Sequence, residues 1–219
     1  MSSFMPPLLL ALCLGVLSAC QGATPPFPPT PTPFTEGTAA LPAQLYSTTL
    51  EGHSIQVEAP SGWALFSTPE GVILAENIGA LKTANHLQGI LVYIFFPHLD
   101  YSIPVNAGNP ALALLNAVVQ DPNYIGQATT SAPSEWMWGD YPCAYYTLNG
   151  GDGSVTMLLA VALDRTTYVA YNISLPAQEH QRLRAQLPHI LQSVQIGDHH
   201  FLGEGLNTLP DPLAFPAAS

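Results

Sequence analysis

Trp136 and Trp138 stand two residues apart between Glu135 and Asp140, and Tyr141 follows closely. On a strand that spacing puts both indoles on the same side. With Tyr141 they could form a stacking platform for a sugar or another flat ligand, the carboxylates fixing its hydroxyls. The simpler alternative has one tryptophan filling core beneath a helix and the other lying at an edge. Paired carboxylates could also serve glycoside hydrolysis, which keeps a hydrolase as a second alternative. Cys143 sits in the strand pattern PCAYY. A nucleophilic thiol needs a histidine base and a third, orienting group, whereas a small buried cysteine is the ordinary occupant of such a position. Asp198-His199-His200 offers a carboxylate and two imidazoles, but adjacent strand residues face opposite ways. His180 and His189 are nine residues apart with Pro188 between them, and His53, His86 and His98 are isolated. The chain contains no His-Glu-x-x-His, Cys-x-x-Cys, Gly-x-Ser-x-Gly or Gly-Lys-Ser/Thr. The expectation is therefore no catalytic residue, no metal and no cofactor.

Another reactive group is Cys20. Leu8 to Val16 is a nine-residue apolar run, the length of a signal-peptide core and about half of a bilayer span. It leads into Leu17-Ser18-Ala19-Cys20. Small residues let the chain enter a peptidase cleft extended, and the thiol is the atom that can be acylated. Leu-Ser-Ala-Cys resembles the lipobox of bacterial lipoproteins. That resemblance implies cleavage before Cys20 and attachment of a diacylglyceryl group to its sulfur, its acyl chains (palmitate) anchoring the protein at the extracytoplasmic face of the cell membrane. The segment before Leu8 departs from the pattern in having no Lys or Arg. Two or more acyl chains hold a protein stably on a bilayer, so no spanning helix is needed after them. The longest later apolar block, 88–96, is stopped by Pro97.

Composition bounds the rest. Of 219 residues, 47% are hydrophobic and 9% charged, enough apolar material for a full core. Four Lys+Arg against fifteen Asp+Glu give a net charge of −11. Clustered cations are what displace counterions from a phosphate backbone, so nucleic acid is excluded as a partner. Six prolines fall between Pro25 and Pro33, and they deny the backbone donors for helix or sheet. Residues 1–19 thus read as a lipoprotein signal peptide and 20–44 as a lipidated Pro/Thr-rich linker, which fully extended would reach roughly 75 Å. Residues 45–197 read as one domain and 198–219 as an extended C-terminal tail.

Within the domain, His53 to Glu58 alternates as a strand, and short strands are expected at Trp63–Phe66 and Gly71–Glu76. Ile90 to Phe96 is apolar throughout, the pattern of a central strand covered on both faces. Asn109-Pro110 starts a helix that Asp121-Pro122 ends. Glu135–Trp138, Tyr141–Leu148, Val155–Leu163 and Thr167–Ile173 follow as an antiparallel meander with tight connections. Pro176 opens a second helix striped by Leu183, Leu187, Ile190, Leu191 and Val194, with a break expected near Arg184 because Pro188 removes a donor. These elements predict an α+β fold, an α/β/α sandwich with a central, mainly antiparallel sheet flanked by two helices.

The alternating strand, then Pro60-Ser61-Gly62-Trp63, the Asn-Pro-started helix, the meander and the closing Ile190-Leu191-Gln192-Ser193-Val194 resemble the PsbP-like lipoproteins, relatives of the extrinsic P subunit of photosystem II. The similarity covers roughly 50–196 and implies an α/β/α sandwich. It transfers no site residues, and architecture alone does not set function. The expectation is a lipid-anchored envelope protein acting as a non-catalytic binding or accessory module, held to the membrane through Cys20 and serving an envelope protein complex. Alternatives are a lipoprotein that binds a small sugar or flat aromatic ligand through Trp136, Trp138 and Tyr141, and an envelope hydrolase.

Overall fold

The structure, a computed structural model, describes residues 44–218 except 51, 70, 82–86, 98–100, 102, 104–107 and 202–204. Cys20, the signal segment and nearly all of the proline-rich linker lie outside the described residues, as do His86 and His98. Strands β1 (Leu45–Leu50) and β2 (His53–Glu58) form a hairpin, and β3 (Ala64–Ser67), β4 (Gly71–Ala75) and β5 (Leu91–Phe95) follow. Helix α1 (Pro110–Gln120) and the single turn α2 (Pro122–Ile125) lead to β6 (Thr129–Thr130) and β7 (Ser134–Trp138). The expected meander continues with β8 (Tyr141–Asn149), β9 (Ser154–Ala162) and β10 (Tyr168–Pro176). Helix α3 (Leu183–Gln192), β11 (Val194–Ile196) and β12 (His199–His200) complete the order.

The turns form where side chains satisfy the chain reversals. Asn149 Oδ1 accepts from the Gly151 N–H at 3.0 Å, and Asp164 Oδ1 accepts from the N–H groups of Thr166 at 2.7 Å and Thr167 at 2.8 Å. Asn109 caps α1 by accepting from Ala111 N and Leu112 N at 3.0 and 3.2 Å, with Pro110 in the first helical turn. Asp121 ends α1 and caps α2 in turn, its Oδ1 accepting from Asn123 N at 2.9 Å.

The expected single sheet is two. The large sheet runs β3-β4-β5-β10-β9-β8-β6, with β7 also paired to β8, and the small one runs β1-β2-β11-β12. Every pairing is antiparallel. Val194, assigned from the sequence to the helical stripe, belongs to β11 and pairs with Val57. The α3 helix ends at Gln192 and is capped by Ser193, whose N–H bonds His189 O and whose hydroxyl bonds Ile190 O. Four apolar residues at helical spacing cannot reveal that a fifth has passed into a strand.

Each face of the large sheet packs a different cover. Ala111, Leu114, Leu115 and Val118 of α1 cluster with Ala144, Tyr146, Leu158 and Ala160 on one face. On the other face Val92, Ile94, Cys143, Met157, Leu159 and Tyr171 meet Leu183, Leu187 and Ile190 of α3, Ile55, Val57 and Ile196 of the small sheet, and Phe201, Leu206, Leu209 and Leu213 of the tail. The second helix therefore shares its layer with the small sheet and the tail. Strand β9 is buried on both faces as its apolar run implied. Strand β5 is not: Val92 and Ile94 are buried while Leu91, Tyr93 and Phe95 are half-buried. A continuous apolar run reports side-chain type and not how far a covering helix extends. The helix changes type between Arg182 and Leu183, from a 3-10 helix over Ala177–Arg182 to α-helix, and Pro188 stands inside α3 without interrupting it.

Candidate functional site

The residues that suggested a platform lie on the β7–β8 hairpin, where Trp138 pairs with Tyr141 and Trp136 with Cys143. The period-two rule holds, and both indoles point into the same core. The structure does not keep the three aromatics together as one open surface. Trp138 is only 3% exposed. Phe201 packs against it at 5.6 Å between ring centroids, and a Cβ added to Gly205 would lie 2.1 Å from its ring. Tyr141 meets the same Phe201 edge-on at 5.4 Å, and its hydroxyl is 3.0 Å from His199 Nδ1. The tail thus occupies the faces that a flat ligand would need on Trp138 and Tyr141. Phe201 and Gly205 lie in a segment without periodicity, so the sequence gives no signal that places them at this site.

Trp136 differs. It is 8% exposed and packs edge-to-face on Tyr145 at 5.6 Å, and its indole N–H is buried without a hydrogen-bond partner. It lines two open grooves, one on each face of β7. The first, about 610 Å³, is bounded by Ser134, Glu135, Tyr145 and the tail residues Thr208, Leu209 and Pro210. The second, about 280 Å³, is bounded by Gly108 and Asn109 at the start of α1, with Glu135, Met137 and Pro142. Glu135 and Asp140 are both exposed here, 5 positions apart on the hairpin.

Cys143 is fully buried, with Sγ 3.4 Å from the carbonyl oxygen of Tyr141. Burial pushes its thiol up to about 12, against a smaller opposing effect of a backbone hydrogen bond at Trp138. A thiol held protonated in this way is a poor nucleophile. The described histidines are dispersed. His53 stacks on Phe96, His180 Nδ1 lies 2.7 Å from Ala177 O, and His200 Nε2 lies 3.2 Å from Gln192 O. His199 and His200 diverge as strand neighbours do, one toward Tyr141 and one toward Gln192. Among the described residues no group of three His, Cys, Asp or Glu is placed to hold a metal ion, and no helix is long and apolar enough to cross a membrane.

Fold and site define an α+β protein with mainly antiparallel sheets and an open, tryptophan-lined strand edge. No family model and no curated protein matches the chain. Among solved structures it is similar to the solution structure of cyanobacterial PsbP from Synechocystis sp. PCC 6803, with a TM-score of 0.45 and 14% sequence identity over 70% of this chain and 92% of that one.

Proposed function

We propose that the chain is a membrane-anchored envelope lipoprotein whose folded domain is a non-catalytic binding or accessory module. Diacylglyceryl on Cys20 supplies the anchor, the proline-rich linker spaces the domain from the bilayer, and an envelope protein complex is the partner. The anchor rests on the sequence at Leu8–Cys20. The binding role is supported by one observation above others: two open grooves that share Glu135, Trp136 and Met137 of β7. The test is site-specific photo-crosslinking in intact cells with p-benzoylphenylalanine at position 137, beside the grooves, and at position 152, on the exposed β8–β9 turn. A discrete adduct to an envelope protein from 137 and none from 152 is the expected result. Equal labelling at both positions, or none at 137, contradicts the reading.

A further inference from the structure

Strand β7 pairs with β8 along one side only. Pro142 fixes which backbone groups point the other way. In an antiparallel ladder a hydrogen-bonded residue pair exchanges two N–H···O=C bonds, one from each residue. Pro142 has no N–H, so the Met137–Pro142 pair is a non-hydrogen-bonded one. The N–H and C=O of Met137 therefore point away from β8, and by the two-residue period so do those of Glu135. Among the described residues no hydrogen bond reaches them. Met137 is 56% exposed. An unpaired edge of this kind is a template for another strand.

Three features narrow what would add there. Grooves flank the strand on both faces, about 610 Å³ on the tail side and about 280 Å³ on the α1 side. Side chains of an added strand would alternate between them. The tail-side groove offers Trp136, Tyr145, Leu209 and Pro210 to apolar side chains. Glu135 lines both grooves and Asp140 is exposed at the hairpin turn. The described cations are engaged elsewhere or lie elsewhere in sequence: Arg182 bonds Glu76 and Glu179, Arg184 bonds Leu206 O, and Arg165 sits in the β9–β10 turn. With a net charge of −11, a second copy of this chain is repelled and a cationic segment is attracted.

We infer that the outer edge of β7 accepts an extended segment of a partner protein by strand addition, and that this segment alternates basic with apolar side chains. The inference rests on the binding-module reading and names the partner's chemistry. Crosslinking from position 137 reports whether a partner sits here at all, so the experiment below fails independently of it.

The probes are two labelled octapeptides, alternating Lys-Val and alternating Glu-Val, titrated by fluorescence anisotropy into the full mature chain in detergent micelles. The Lys-Val peptide is expected to bind at least about tenfold more tightly and to slow amide exchange at Glu135 and Met137. Met137→Pro removes an outward donor at a position where an edge strand tolerates proline, and it should weaken binding at least about tenfold. Glu135→Lys leaves the backbone intact and should reverse the preference between the two peptides, which keeps the test decisive if the proline variant misfolds. Equal binding of both peptides, unchanged exchange at 135 and 137, or Lys-Val affinity unaffected by Glu135→Lys overturns the inference. A concentration-dependent dimer that Met137→Pro abolishes also overturns it, because the occupant would then be a second copy.

Discussion

Replacing Phe201 by alanine tests whether the C-terminal segment belongs to the folded core. Phe201 is fully buried and bridges Trp138 and Tyr141, with ring centroids 5.6 and 5.4 Å away. Truncating a buried phenylalanine costs about 3–5 kcal/mol through lost transfer energy and the cavity left behind. Part of that is the two aromatic contacts, each worth about 0.5–1.5 kcal/mol. In a domain of this size each kcal/mol moves the melting temperature by about 2–4 °C, so Phe201→Ala should melt about 6–20 °C lower than the parent chain. Thermal unfolding followed by far-UV circular dichroism, with near-UV signal from Trp138 and Tyr141, measures both the shift and the loss of fixed aromatic packing. A melting temperature within 1 °C of the parent, with unchanged near-UV signal, would refute the claim that this segment seals the face of the sheet.

Asn109→Ala removes the α1 cap and the amide donor to Cys143 O at 3.2 Å. It should cost about 1 kcal/mol or more in denaturant melts, and Asn109→Asp, which restores the cap acceptor but not the donor to Cys143 O, should recover only part of that loss. The Cys143 thiol should resist Ellman's reagent at pH 8 in the native state and react at once in guanidinium, since its value rises from 9.0 to about 12 on folding; rapid native labelling contradicts its burial. Tyr124 rises likewise from 10.0 to about 12, through burial first. Because the unfolded chain releases these protons before the folded one does, the contribution of these two groups to stability should be constant below about pH 8 and fall as pH rises from 9 toward 12. Urea midpoints across that range check the sign, and a rising midpoint would reverse it.

How much of this could be read from residues alone depended on whether the signal was local. The α1 cap, the Asp121-Pro122 stop and the four-strand meander were legible because each rests on turn chemistry within a few residues. The small sheet was not, because β2 finds β11 about 140 positions later, and Val194 fits a helical stripe as well as a strand. Trp136 and Trp138 were correctly placed on one side of a strand by period two. What covers them was not legible, because Phe201 and Gly205 arrive from the far end of the chain with no periodic pattern. Likewise the outward edge of β7 could not be identified until Pro142 was seen opposite Met137.

Acylation of Cys20 is what would hold this protein on the membrane. Cells making the parent chain and Cys20→Ser should be labelled with radioactive palmitate and partitioned in Triton X-114. The parent is expected to carry label and enter the detergent phase, and the serine variant to lose both properties. Equal detergent partitioning of the two, or a parent chain without label, would contradict the lipid anchor.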